Sequence, residues 1–375
     1  MNALEGAPGS VVLDWETLTA FVVDVLCASG VPRADAEVCA DVLIESDRRG
    51  IESHGVNRFK PIYIDRIKIG IQKPVTEFEI LKETKTTAVI DGHDGMGQVI
   101  GVRAMRMAID KAKEHGLGMT AVRNSTHYGI AGYYATMATD AGLIGLTGTN
   151  ARPSIAPTFG VENMLGTNPL TWGMPTDEDF PFVIDCATSI TQRGKVEYLE
   201  RIGQDTPAGQ VIDENGGTLT DSAEILRRLV DGTAALAPLG GAGEELGGYK
   251  GYGFATVVEI LCAALQGGSY MKDLTGKRDG QNVPYRLGHY FLAIDPEAFL
   301  GLEGFRKTAG DILRQLRASR KAPGQDRIYT AYEKEYEVWQ ARKDVGVPIN
   351  PSVQREFIEM RDDFGLTAYT FPWEQ

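Results

Sequence analysis

The chain has 375 residues, 43% hydrophobic and 24% charged, which is ordinary for a folded protein and long enough for two or three domains with real cores. Its formal net charge of −13 opposes phosphate backbones and anionic lipid, so nucleic acid and membranes are poor partners, although a local basic pocket is allowed. Cys27, Cys39, Cys186 and Cys262 form no CxxC pair, and the five histidines show neither an i, i+4 pair nor HExxH, so the reading is reduced thiols and no metal site.

The opening MNALEGAPGS has neither a basic start nor an apolar run, and no stretch reaches the roughly 18 uncharged apolar residues of a membrane span, so a cytoplasmic location is expected. From Asp14 to Ser29, Leu18, Phe21, Val22, Val25 and Leu26 form one helical stripe, with Gly30 as a stop. A second helix follows Pro32 and closes at Gly50, making a helical hairpin. Ser53-His54-Gly55-Val56-Asn57-Arg58 then places a hydroxyl, an imidazole and a guanidinium within six residues. An imidazole exchanges a proton near neutral pH and an arginine grips a carboxylate with two hydrogen bonds, a combination suited to a small organic acid. A helix over about Val56–Ile67 would set His54 at its start and Arg58 one turn in. The plainer alternative is a helix-start histidine and a surface ion pair.

Thr86–Asp91 reads as a strand, GHDGMG as a loop and Val99–His115 as a helix capped by Gly116. Strand Gly118–Val122, loop Arg123–Gly129, helix Ile130–Ala141 and strand Leu143–Thr149 form a compact β-α-β unit whose loop carries Asn124, Ser125 and His127. Such loops lie at strand carboxyl ends, where α/β sheets place ligands. Gly166-Thr167-Asn168-Pro169 precedes the strand Leu170–Met174, and the strand Phe182–Asp185 runs into Cys186-Ala187-Thr188-Ser189. Asp213–Gly217 is a polar turn and Asp221–Val230 an acidic helix. The glycine-dense Pro238–Gly253 leads into a helix whose inward face is read as Phe254, Val257, Val258, Leu261 and Leu265. His289–Asp295 is the final strand, and the tail from Gly304 is mostly helical.

The glycine loop before Lys250-Gly251 could let backbone N–H groups and the Lys250 ammonium meet a phosphate, or could serve tight packing. No GxGxxG follows a strand and no GxxxxGK[ST] occurs, so neither the ordinary dinucleotide fold nor a P-loop is supported. His127 has a bland reading as a hydrogen-bonded structural residue, weakened by its polar neighbours. His289 reads as a surface residue at a strand start. Asp185 is either a ribose-binding carboxylate or a turn former, and Cys186 a buried filler with no adjacent cation to activate it. Thr167 and Asn168 either contact a substrate carboxylate or make a turn.

RRGIESHGVNRF, RNSTHYGIAGYYA, GTNP, IDCATS and PLGG…GGYKGYGFA occur in this order, and their spacing resembles the second type of malate/L-lactate dehydrogenase family from about Asp14 to about Pro351. That family includes sulfolactate and ureidoglycolate dehydrogenases, a diketogulonate reductase and a cyclic-imine reductase. The resemblance implies an α/β fold with a mixed sheet in a non-Rossmann nicotinamide-binding domain (about 117–299). It also implies a substrate domain (51–116 with about 300–334) and a small helical domain (10–50 with about 335–375). It implies hydride exchange between NAD, or NADP, and a small 2-hydroxy or 2-oxo acid, with malate/oxaloacetate or lactate/pyruvate first, in a homodimer with active sites near the subunit interface. Carried onto this chain, His127 is the proton acceptor with His54 beside it, an assignment reversed in some members. Ser53, Arg58, Thr167 and Asn168 meet the substrate. Asn150, Asp185, Cys186, Ala187, Thr188, Lys250, Gly251 and the segment near Glu333 contact the cofactor. The chain departs from the family at Tyr332, where members often carry glycine. From a different class, a non-catalytic carboxylate-binding protein is the rival reading.

Overall fold

The computed structural model describes residues 6–201 and 203–374. A seven-stranded sheet runs in the order Glu79–Glu83, Thr87–Asp91, Leu117–Ser125, Leu287–Ile294, Ile144–Thr149, Leu170–Met174 and Phe182–Cys186. Only Thr87–Asp91 and Leu117–Ser125 pair in parallel; every other neighbour in this sheet is antiparallel, so it is mixed, as the resemblance implies. The β-α-β unit needs one correction. Its strands Leu117–Ser125 and Ile144–Thr149 are not neighbours, because Leu287–Ile294 is inserted between them and bonds to both. The edge strand Glu79–Glu83 was not expected from the sequence; EILKE is exposed throughout and carries no buried alternation to read.

Helices cover both faces. Gly97–His115 buries Val102, Met105, Ile109 and Ala112 and ends on Gly116, whose φ of 83° is the left-handed cap that favours glycine. Ala131–Asp140 packs between it and the strands beyond. The N-terminal helix Trp15–Ala28 starts where the Asp14 carboxylate accepts from Thr17 N at 2.8 Å, and it buries the expected stripe. That stripe meets the far end of the chain. Val11–Leu13 pairs with Val347–Ile349, and Phe21 packs at 4.9 Å from Phe357 and 5.1 Å from Phe371.

Two expectations are corrected. Residues 56–68 are not one α-helix but a 3₁₀ turn Val56–Arg58, a π-turn Phe59–Ile64 and a short α-helix Asp65–Lys68. Pro61 has no N–H for the i→i−4 ladder, and the backbone widens around it. In the helix Gly248–Ala263, only Val258 of the expected inward residues is buried. Phe254 and Val257 are 50% and 47% exposed, and Leu265, just beyond it, is 49% exposed. The side facing the sheet is Gly251, Ala255, Val258, Glu259 and Cys262. Asp213–Gly217 is the expected polar turn, its carboxylate accepting from Asn215 N and Gly217 N at 2.8 Å. The helix Arg193–Arg201 was not expected. Among the described residues no helix is long and apolar enough to cross a membrane.

Candidate active site

Register brings the chemistry-bearing segments to one end of the sheet. Leu170 pairs with both Gly148 and Cys186, and His289 with both Val122 and Thr149. The segments after Ser125, after Thr149 and after Cys186, and those before Leu170 and before Leu287, therefore open on the same edge. A cavity of about 250 Å³ lies there, lined by His127 through Ala131, Thr149 through Ala151, Thr167, Asp185, Ala187 and Leu287. Ile51, Ser53 and His54 close it from the other side.

The turn carrying His54 is braced from below. Buried Asp47 accepts from Val56 N at 3.0 Å, and Arg342 donates to Asp47 O and to Glu52, both at 2.6 Å. Burial pushes the Asp47 carboxyl up to about 8. His54 lies with its ring centroid 5.9 Å from that of His127, nearly parallel, and its Nδ1 is 2.9 Å from Ser53 Oγ. On the other side, His127 Nδ1 is 2.7 Å from the hydroxyl of buried Tyr63 and receives the Gly129 N–H at 3.2 Å. A phenol can donate to Nδ1 or accept from it, so Tyr63 holds the ring in either tautomer, while the Gly129 contact favours Nδ1 as the acceptor. Burial lowers His54 to about 4, with the Arg58 charge adding to the effect. Burial also carries His127 well below the ordinary histidine range, reinforced by His54, Arg66 and Arg58. Both rings are therefore neutral at pH 7 before an anion arrives.

Arg58 donates from Nε to Ser53 O at 2.7 Å and is not part of the cavity wall. Asn150 lines the cavity, but its amide is engaged by Ser269 O at 3.1 Å and Gly288 N at 2.8 Å. Asp185 faces it too, accepting from Gly132 N at 2.6 Å and Thr171 at 2.9 Å; burial nonetheless raises its carboxyl. Ser53, Thr167 and Ala187 line the wall, and the other predicted residues lie outside it. Asn168, at a φ of 33°, turns onto Ala255 O and the Glu259 carboxylate. Thr188 donates to Thr167 O and Asn168 O, and Cys186 is half-buried against Leu170 O. Lys250 is exposed, and Gly251 abuts the Leu239 backbone so closely that a Cβ would sit 2.3 Å from its carbonyl oxygen. Glu333 is buried in a cluster with Arg327, Arg317 and Thr330, and Glu335 reaches the cavity instead.

His289 corrects the sequence reading. It is fully buried, 4.4 Å from the Tyr128 ring and 2.8 Å from Thr149 Oγ1, and burial lowers it to about 3. Tyr63, Tyr128, Gln192 and Glu335 are site residues that the sequence did not single out; in sequence Tyr63 reads only as part of an apolar FKPIYI run. The helix Ala131–Asp140 opens onto the cavity with its Gly132 N–H already held by the Asp185 carboxylate, and Thr167 lines the same wall. This volume and lining fit a nicotinamide ring next to a small acid. Among the described residues no cluster of His, Cys, Asp or Glu could hold a metal ion.

A family profile described as malate/L-lactate dehydrogenase matches residues 13–357. The chain is 42% identical to the malate dehydrogenase of Pyrococcus horikoshii over 94% of its own length and 95% of that protein. It is 36% identical to the L-sulfolactate dehydrogenase of Methanocaldococcus jannaschii, covering 95% and 98%. Among solved structures, malate dehydrogenase from Entamoeba histolytica superposes with a TM-score of 0.92 at 42% identity, over 97% of this chain and 99% of that one.

Proposed function

The chain belongs to the malate/L-lactate dehydrogenase family, and from that membership we propose that it interconverts L-malate and oxaloacetate at the cavity that holds His54 and His127. It is an oxidoreductase of 2-hydroxy acids. The observation that carries the site assignment is the pair of neutral imidazoles 5.9 Å apart, one braced by a buried phenol and one beside an arginine. In oxidation His127 takes the hydroxyl proton at the nitrogen facing the cavity while Tyr63 steadies the other nitrogen. Arg58 exchanges its backbone contact for the C1 carboxylate. A nicotinamide bound beside the substrate supplies or accepts the hydride. NAD is the nicotinamide cofactor that the family resemblance puts first. Unpaired Cys27, Cys39, Cys186 and Cys262 suit a reducing, cytoplasmic setting.

Steady-state reduction of oxaloacetate and pyruvate with NADH and NADPH in parallel tests this reading. Oxaloacetate with NADH is expected to be the best combination, and failure to oxidise either cofactor with any 2-oxo acid would refute it.

The exposed side of the helix Gly248–Ala263 supports a homodimer. Phe254, Val257 and Ile260, with Leu265 just past the helix, are 50%, 47%, 55% and 49% exposed at helical spacing, a stripe that water covers poorly and a second copy could bury. Val257→Lys is expected to shift the protein to monomer in light scattering at micromolar concentration. An unchanged mass would remove this face from the interface.

A further inference from the structure

A second cavity of about 600 Å³ lies between the Pro61–Ile71 segment, Arg152 and the loop that ends at Tyr285. Its charged lining is Arg66, Arg152, Lys272 and Lys277 against the single carboxylate Asp65, in a chain whose net charge is −13. Lys272 is paired with Glu162, and Asp65 with Lys60 at 3.3 Å, so those charges are satisfied locally. Arg66 and Arg152 are not: among the described residues no carboxylate pairs with either. Arg66 lies instead over the Tyr285 ring, 4.2 Å from guanidinium carbon to ring centre, which orients the fork without neutralising it.

The linings of the two cavities hold neighbours in sequence. Ala151 lines the first and Arg152 the second; Leu287 lines the first and Tyr285 the second. Burial holds the Arg66 guanidinium below the ordinary arginine range; Tyr285 and Tyr63 oppose that shift, while Arg152 and Arg58 add to it. Arg58 and Arg66 both act on His127, Arg152 and Arg58 both act on Arg66, and the one carboxylate in the second cavity, Asp65, is held by Lys60, an arrangement that a ligand carrying two negative groups would relieve.

We propose that Arg66 and Arg152 form an anion subsite that takes the second carboxylate of a dicarboxylate substrate, with Arg58 taking the first. This rests on the malate/oxaloacetate reading and deepens it, because it makes the second acidic group the specificity determinant. The same chemistry would recognise a cofactor phosphate, and the test separates the two sources.

The experiment compares wild type, Arg152→Ala, Arg152→Lys and Arg66→Met in reduction of oxaloacetate and of 2-oxobutyrate, which keeps the carbon chain and replaces the second carboxylate with a methyl group. Losing a charge-assisted fork is expected to lower the oxaloacetate to 2-oxobutyrate ratio of kcat/KM by about 10- to 100-fold in Arg152→Ala and Arg66→Met. Arg152→Lys should restore part of it. A ratio within threefold of wild type in both variants overturns the subsite. A raised KM for NADH or NADPH with an unchanged ratio also overturns it and assigns the charge to a cofactor phosphate. If wild type reduces neither acid, it is the malate/oxaloacetate reading that fails.

Discussion

His127→Ala is expected to lower kcat for malate oxidation by on the order of 10²–10⁴, the contribution of a positioned acid/base, with a much smaller change in KM. His54→Ala should cost less, because His54 touches Ser53 and has no brace equivalent to the 2.7 Å contact between Tyr63 and His127. If His127→Ala keeps turnover within threefold of wild type while His54→Ala loses it, the two rings have exchanged roles.

The pH dependence has a sign that follows from the same geometry. Burial and the nearby cations hold His127 well below 6.5 in the free enzyme, so the proton-accepting form persists as pH falls through the ordinary histidine range. The acid limb of kcat/KM for malate oxidation should therefore lie below 6.5. Reduction needs the opposite form. An anion seated among Arg58, Arg66 and Arg152 offsets their repulsion and raises the affinity of His127 for a proton, so oxaloacetate binding should take up a proton and weaken as pH rises. Calorimetry in buffers of different ionisation enthalpy reads that uptake, and its absence would remove His127 from the proton path.

The strands that build the site were legible because β-branched and aromatic runs such as TTAVID and HYFLAID keep their character in any topology. Their order was not. Nothing local to the Leu117–Ser125 and Ile144–Thr149 segments says that a strand from far down the chain will lie between them. Periodicity misplaced the inward face of Gly248–Ala263 because it reports apolarity and not what covers it. The side against the sheet uses small residues and one carboxylate, Glu259, satisfied by Asn168 at 2.7 Å and Met271 N at 2.8 Å. The same limit applies at the site. Asn168, Thr188 and Glu333 carry polar groups suited to a ligand, yet their side chains are bonded into the scaffold, and sequence alone does not distinguish the two uses. Tyr63 was invisible for a related reason, since the π-turn around Pro61 decides which way it faces.

Gly97→Ala is expected to damage both stability and turnover, although Gly97 touches no substrate. Gly97 opens the helix Gly97–His115, and its N–H donates to Thr126 Oγ1 at 3.0 Å. A Cβ at this position would lie 2.4 Å from the carbonyl oxygen of Thr126 and 2.5 Å from that of His127, far inside contact distance for rigid backbone. Because its φ is not in the left-handed region, the difficulty is space and not conformation. Either the helix or the segment bearing His127 has to move. Overpacking of this kind costs about 1–3 kcal/mol, and a shift of His127 approaching 1 Å would cost on the order of 10² in kcat. Gly304→Ala supplies the control: Gly304 lies inside the helix Leu302–Ala318 with open space where the Cβ would go, so alanine there should be neutral or stabilise by about 0.5–1 kcal/mol. Urea unfolding and kcat measured on both variants separate a general intolerance of alanine from a loss specific to the backbone beneath the imidazole. A Gly97→Ala protein with wild-type turnover would mean that the loop carrying His127 can give way without disturbing the ring, and that the brace from Tyr63 alone sets its position.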